Sequence, residues 1–135
     1  MKKIVWKDEF SVGVERLDQQ HKQIIDDINS LIDKPRIFFR SKNVSSALVD
    51  LTNYVSEHFL LEERLLQENG YPTLLEHSKK HTLYSERVAE FCKESLDGKS
   101  EVPDELIAFL ADWWTSHILH EDMQYKAFFD EKGVK

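Results

Sequence analysis

Between residues 58 and 81 the chain reads HFLLEERLLQENGYPTLLEHSKKH, and its polar residues fall at spacings that suit metal chelation. His58 and Glu62 are four apart, as are His77 and His81. At about 100° per residue, such a pair lies ~40° apart on one helix face and can close on one ion from one side. His21, His117 and an acid shortly after His117, either Glu121 or Asp122, extend the pattern to other parts of the chain. One core histidine is ordinary, because a single hydrogen bond satisfies it. Five on inward faces, together with carboxylates, are another matter, since each uncompensated buried polar group costs roughly 1–3 kcal/mol. A shared metal centre compensates them together.

The donor types narrow the metal. The single cysteine, Cys92, excludes an intramolecular disulfide and a cysteine-based zinc cluster. No H-E-x-x-H protease motif occurs, and no glutamate stands three residues before any histidine, as carboxylate-rich di-iron bundles require. Nitrogen-rich, carboxylate-poor ligation points to iron, copper or zinc rather than magnesium or calcium.

The elements that must position these donors follow from periodicity. Leu17, His21, Ile24, Ile28 and Leu31 repeat at steps of four and three, the mark of a helix packed in a bundle, and Pro35 with the stretch PRIFFRSKN ends it. A second helix runs from about Val44 to Asn69 with Leu48, Leu51, Val55, His58, Glu62 and Leu65 inward; Asn69-Gly70 supplies a left-handed cap, and the proline after Tyr71 forbids continuation. Thr73 opens a third helix as its N-cap, with Leu74, His77, His81, Tyr84, Val88 and Phe91 on its stripe. The stretch LDGKSEVP breaks the chain again, and a fourth helix from near Pro103 carries Leu106, Leu110, Trp113 and His117. The pattern predicts an all-α fold: an antiparallel up-down four-helix bundle over about residues 17–130, within one domain spanning 1–135. Residues 1–16 read as an extended arm, with Trp6 and Phe10 available to pack on the bundle.

The fourth helix carries an irregularity. Glu121 is four residues after His117 and is the partner an ideal helix would choose, whereas Asp122 lies ~140° around. Yet Ile118, Asp122, Tyr125 and Phe129 continue the apolar stripe after a slip of one residue, which a π-bulge produces and which favours functional sites. Spacing alone leaves both acids open.

Composition bounds the partners. Net charge is −7 and the lysines and arginines are scattered, so neither nucleic acid nor an anionic membrane surface is expected to bind. The start, MKKIVWKDEF, lacks an apolar h-region and no segment reads as a membrane span, so neither secretion nor membrane insertion is expected, and a cytoplasmic location is.

Taken jointly, the motifs resemble a hemerythrin of the single-domain bacterial kind: W-x-x-x-x-S-V-G-V from Trp6 to Val14, LDQQH at 17–21, HFLLEE at 58–63, YPTLLEHSKKH at 71–81 and HILHED at 117–122. The resemblance covers nearly the whole chain. It implies two non-haem iron ions held by His21, His58, Glu62, His77, His81, His117 and Asp122, and so decides for Asp122 over Glu121. Glu62 and Asp122 would bridge the irons together with an oxide or hydroxide. His77, His81 and His117 would fill one iron, while His21 and His58 would leave an open position on the other for dioxygen. The implied function is reversible dioxygen binding for storage, delivery or buffering. Alternatives with the same site are a di-iron peroxidase, a reductase of oxygen or nitric oxide supplied with electrons by another protein, and an oxygen or redox sensor acting through a separate partner. In one respect the chain departs from the family: WWTSHI places Trp114 where family members carry a leucine facing the open iron. The indole is expected either to narrow the oxygen pocket or offer its N–H to a ligand, or to turn onto the bundle surface. Ile118 also belongs to the expected pocket, and Tyr125 is a candidate hydrogen-bond partner for a bridging carboxylate.

Overall fold

The computed structural model describes residues 2–33, 42–96 and 104–135, with the side chains of 42–48, 92, 94–96 and 104 excepted. The breaks expected at PRIFFRSKN and LDGKSEVP therefore lie largely outside the described residues. All regular structure among the described residues is helical: α1 (Glu15–Asp33), α2 (Lys42–Glu68), α3 (Leu74–Leu96), α4 (Asp104–His117) and α5 (Met123–Lys132), preceded by a 3-10 turn, Asp8–Phe10. A π-helical turn, Ile118–Asp122, joins α4 to α5, so the two form the fourth rod of a bundle. The slip read from the sequence is thus present in the backbone.

Consecutive rods run antiparallel, because residues near the start of one meet residues near the end of the next. His21, early in α1, faces Glu62, late in α2; His77, early in α3, also faces Glu62 and Asp122. Gly70 takes φ +73° between α2 and α3, the left-handed cap expected of it, and the N–H of Tyr71 returns to the carbonyl of Leu66. The inward residue of α2 beyond Glu62 is Leu66, fully buried, rather than Leu65, which is half-buried: the helix continues by a step of four.

The arm is tied down at two places. Asn29 pairs with the backbone of Ile4 through two 2.8 Å hydrogen bonds. Nearer the bundle, the Asp18 carboxylate accepts the N–H of Val12 at 2.8 Å and the hydroxyl of Ser11 at 2.6 Å. This capping, together with the positive φ of Gly13 (+78°), turns the chain into α1 at Glu15, inside the segment the sequence assigns to the arm. Phe10 is buried, and Trp6 packs on it at 5.6 Å.

The interior is layered. One apolar cluster contains Ile24, Phe59, Tyr84, Trp114 and Ile118; a second contains Val12, Leu17, Leu66, Tyr125 and Phe129. Along α1 the order is Leu17, His21, Ile24; along α2, Phe59, Glu62, Leu66; along the fourth rod, Ile118, Asp122, Tyr125. The polar donors form a layer closed off by hydrocarbon on both sides.

Candidate metal centre

Each rod delivers its share. α1 brings His21, α2 brings His58 and Glu62, α3 brings His77 and His81, α4 brings His117, and the π turn brings Asp122. All seven are buried; His21, His58, Glu62 and Asp122 have no exposure at all. Five residues beyond His117, Asp122 would point well away from it on an α-helix, and the wider i→i+5 turn brings the two onto one face. The Nε2 of His117 stands 3.0 Å from Oδ1 of Asp122. Glu121 instead pairs with Lys80 outside this layer, and His120 is exposed.

The donor atoms fall into two overlapping groups, each within 4.8 Å: Glu62, His77, His81, His117 and Asp122 in one, His21, His58, Glu62 and Asp122 in the other. Both carboxylates divide their oxygens between the groups. Oε1 of Glu62 meets His77 and His81, and Oε2 meets His58. Oδ1 of Asp122 meets His77 and His117, and Oδ2 meets His21.

The spacings fit metal binding. With metal–donor bonds of about 2.1 Å, two donors at right angles on one ion stand about 3.0 Å apart. The contacts His81–His117 (3.2 Å), His81–Glu62 (3.2 Å), His77–Asp122 (3.2 Å), His117–Asp122 (3.0 Å), His58–Glu62 (3.2 Å) and His21–Asp122 (3.1 Å) all match that edge length. His77 and Glu62 come closer, at 2.6 Å, as a hydrogen bond. Meanwhile both nitrogens of His21, Nε2 of His58 and both oxygens of Asp122 are buried without a hydrogen-bond partner. Atoms that crowd to 3 Å without bonding one another share a common target. A buried, nitrogen-rich set of this kind suits non-haem iron.

Without an ion the layer balances its own charge. Burial alone would push the His21 and His77 imidazoles down, but the Asp122 and Glu62 carboxylates overcome it and raise them to about 9 and about 10. Burial likewise works against ionised Glu62 and Asp122, yet the surrounding histidines hold both below the usual carboxylate range. His58 is pushed down by burial and by its neighbour His21.

Around this layer stand further residues, of which the sequence singles out Tyr125 as a hydrogen-bond partner for a carboxylate but not Gln20, Glu63 or Phe59. Oε1 of Gln20 lies 2.7 Å from Nδ1 of His58, and Oε2 of Glu63 lies 3.3 Å from Nδ1 of His81. Each acceptor holds the proton on Nδ1 and turns the Nε2 lone pair inward. Phe59 stacks on His81 with centroids 3.8 Å apart, and Trp113 stacks on His117 at 4.2 Å and 12°. Tyr125 is buried and donates its hydroxyl to Oε2 of Glu62 at 2.9 Å.

Of the two tryptophans, Trp114 takes the inward of the two positions expected for it, and Trp113 lies less deep than its place on the stripe suggests. Trp113 is half-buried, at the edge of the stripe, and Trp114 is fully buried beside His21 and His58, with ring centroids 6.2 and 5.8 Å away. The surface position considered for Trp114 is thereby excluded. Its indole N–H is engaged as well, donating to the Tyr84 hydroxyl at 3.1 Å, so it is not offered to a ligand.

Residues 12–129 match the model of the hemerythrin HHE cation-binding domain. The bacteriohemerythrin of Stenotrophomonas maltophilia is 33% identical over 90% of this chain and 78% of its own length. The myohemerythrin of Theromyzon tessulatum is 30% identical over 90% and 89%. A solved structure of wild-type hemerythrin superposes with a TM-score of 0.80 at 30% identity, covering 93% of this chain and 97% of that one. With the matched segment enclosing the buried donors from His21 to Asp122, the chain belongs to the hemerythrin family.

Proposed function

We propose that this protein binds dioxygen reversibly at a non-haem di-iron centre, for storage, delivery or buffering of oxygen. The observation that carries the reading is the unequal division of donors: both groups share Glu62 and Asp122, but one adds three imidazoles and the other two. His77, His81 and His117 would hold one iron, His21 and His58 the other, and the two carboxylates would bridge them, with an oxide or hydroxide as the remaining bridge. The position served by two imidazoles is where dioxygen would bind. Bound ferrous iron would supply the electrons that dioxygen requires to be held.

The residues around that position keep it dry and fixed. Trp114, Ile118 and Phe59 exclude water on one side, Leu17 and Leu66 on the other. Gln20 orients His58, Glu63 orients His81, and Tyr125 holds Glu62 in place. The pinned arm and the bundle are read as one unit working in the cytoplasm, and no described helix is long and apolar enough to cross a membrane.

The test is anaerobic reduction of the iron-loaded protein followed by optical spectra through cycles of air and argon. A charge-transfer band that comes in air and leaves under argon, cycle after cycle, supports the proposal. Irreversible oxidation on first exposure, with hydrogen peroxide released, overturns it.

A further inference from the structure

The buried layer is sealed unevenly. His21, His58, Glu62 and Asp122 have zero exposure, whereas His77, His81 and His117 keep a few percent. The rings touching candidate ligands are likewise buried at Phe59, Trp114 and Tyr125. Among the described residues, Trp113 alone both stacks on a candidate ligand and reaches solvent. Its plane is nearly parallel to that of His117, with centroids 4.2 Å apart, and its other contacts, Tyr84 at 4.4 Å and Trp114 at 5.1 Å, lock the indole in that position.

Trp113 opens on a cavity of about 420 Å³ between α3 and α4 that also reaches His117. Leu83 and Phe109 supply apolar lining, and Lys80, Asp112 and Glu121 supply charge, with Lys80 and Glu121 paired to each other. That volume lies within the range of small-molecule sites. The Trp113 and Phe109 rings give the cavity flat aromatic surface on which an uncharged planar molecule can stack.

We propose that Trp113 is the electron-exchange contact of the metal centre, through which a reduced flavin seated in this cavity returns oxidised iron to the ferrous state. The inference rests on the di-iron reading above. A carrier whose iron is lost to the ferric state needs such a route, because the ligands of the oxygen-binding position are closed to solvent. Two single-electron transfers cross the Trp113–His117 stack, each turning one ferric ion ferrous. The flavin hydroquinone becomes the quinone, and its two protons leave to solvent. Oxygen would thus be handled on the side of His21 and His58, and electrons would enter on the side of His117.

The probe is photoreduced riboflavin, which carries no net charge, mixed anaerobically with the diferric protein in a stopped-flow instrument. Iron content and the ferric spectrum are recorded first: failure to hold two irons defeats the di-iron reading and not this route. With iron in place, Trp113→Leu is expected to slow reduction severalfold at an unchanged midpoint potential, and Trp113→Phe, which preserves an aromatic stack, to recover most of the rate. In the metal-free protein, the Trp113 indole N–H resonance, assigned by its loss in Trp113→Phe, should shift on adding riboflavin. Wild-type reduction rates in Trp113→Leu, or slowing matched by a changed potential, would overturn the proposal. So would an indole resonance indifferent to riboflavin.

Discussion

Replacing Gln20 with leucine keeps its bulk and removes its acceptor. His58 is fully buried, and its Nδ1 lies 2.7 Å from the Gln20 carbonyl oxygen, so the substitution strands a buried N–H. A stranded donor costs roughly 1–3 kcal/mol. In the metal-free protein the imidazole can avoid most of that by moving its proton to Nε2, where Oε2 of Glu62 waits at 3.2 Å. The metal-bound protein has no such choice, since the ion requires the Nε2 lone pair. The cost therefore falls on binding at one of the two positions, the one served by His21 and His58.

Loss of such an outer partner typically weakens metal affinity 10–100-fold, or about 1.4–2.7 kcal/mol, the same size as the stranded N–H. Stepwise anaerobic titration with ferrous iron against a competing chelator should show one weakened and one unchanged site in Gln20→Leu. Urea unfolding of the metal-free variant should show a loss of about 1 kcal/mol or less. Gln20→Glu, which retains an acceptor, should restore the affinity. Equal weakening at both sites, or none at either, would refute the reasoning that Gln20 acts on one metal through the His58 tautomer.

Tyr125→Phe deletes the 2.9 Å hydrogen bond to Glu62 and should lower the urea stability of the metal-free protein by roughly 1.5–3 kcal/mol, the range for bonds to charged groups; a loss below about 0.5 kcal/mol would contradict it. Trp114→Leu should cost less than the about 3–5 kcal/mol of truncating a buried aromatic to alanine, and should speed azide binding to the diferric protein by opening the side next to His21 and His58; unchanged azide kinetics would remove Trp114 from the pocket. His21 and His77, raised to about 9 and about 10, contribute stability that is full below 6.5 and lost as pH climbs through those values. Glu62 and Asp122, held below their ordinary values, contribute stability present above about 4.5 and lost on acidification, so the metal-free protein should be most stable in urea between those limits. Because both imidazoles are charged at pH 7, metal loading there should release about two protons, measured by calorimetry in buffers of different ionisation enthalpy; release of none would contradict the charge assignment.

What the sequence discloses is what helical periodicity can carry. All seven donors lie on apolar stripes at i+3 and i+4 steps, and even the π turn shows itself, as a one-residue slip between His117 and Asp122 that moves the whole apolar set. Periodicity resolves poorly where neighbours are of one kind. Leu65 and Leu66, or Trp113 and Trp114, differ by about 100° in direction but not in hydrophobicity, and packing against other rods decides which goes in. The outer partners are hidden for a different reason. Gln20 adjoins His21 but serves His58, and Glu63 adjoins Glu62 but serves His81: each acts across to another helix, and no spacing within one helix reports such a pairing.

That crosswise arrangement has a mechanical consequence. The donor layer joins α1 to α2 through Gln20–His58, α2 to α3 through Glu63–His81 and Glu62–His77, and the fourth rod to α2 through Tyr125–Glu62. Each rod is thus fixed at the layer before an ion arrives, and an arriving ion meets donor atoms already separated by about the edge length its bonds require, with the protons of His21 and His77 left to displace. Glu62 is the hub, since one carboxylate receives hydrogen bonds from His77 and Tyr125 while standing 3.2 Å from His58 and His81. Removing a histidine from this layer weakens one position. Glu62→Gln, which keeps the shape but loses the charge that His21 and His77 answer, should weaken both positions and also destabilise the metal-free fold. Chelator competition and urea unfolding of that one variant measure both effects, and a variant that lost only one of them would show that Glu62 does not unite the layer.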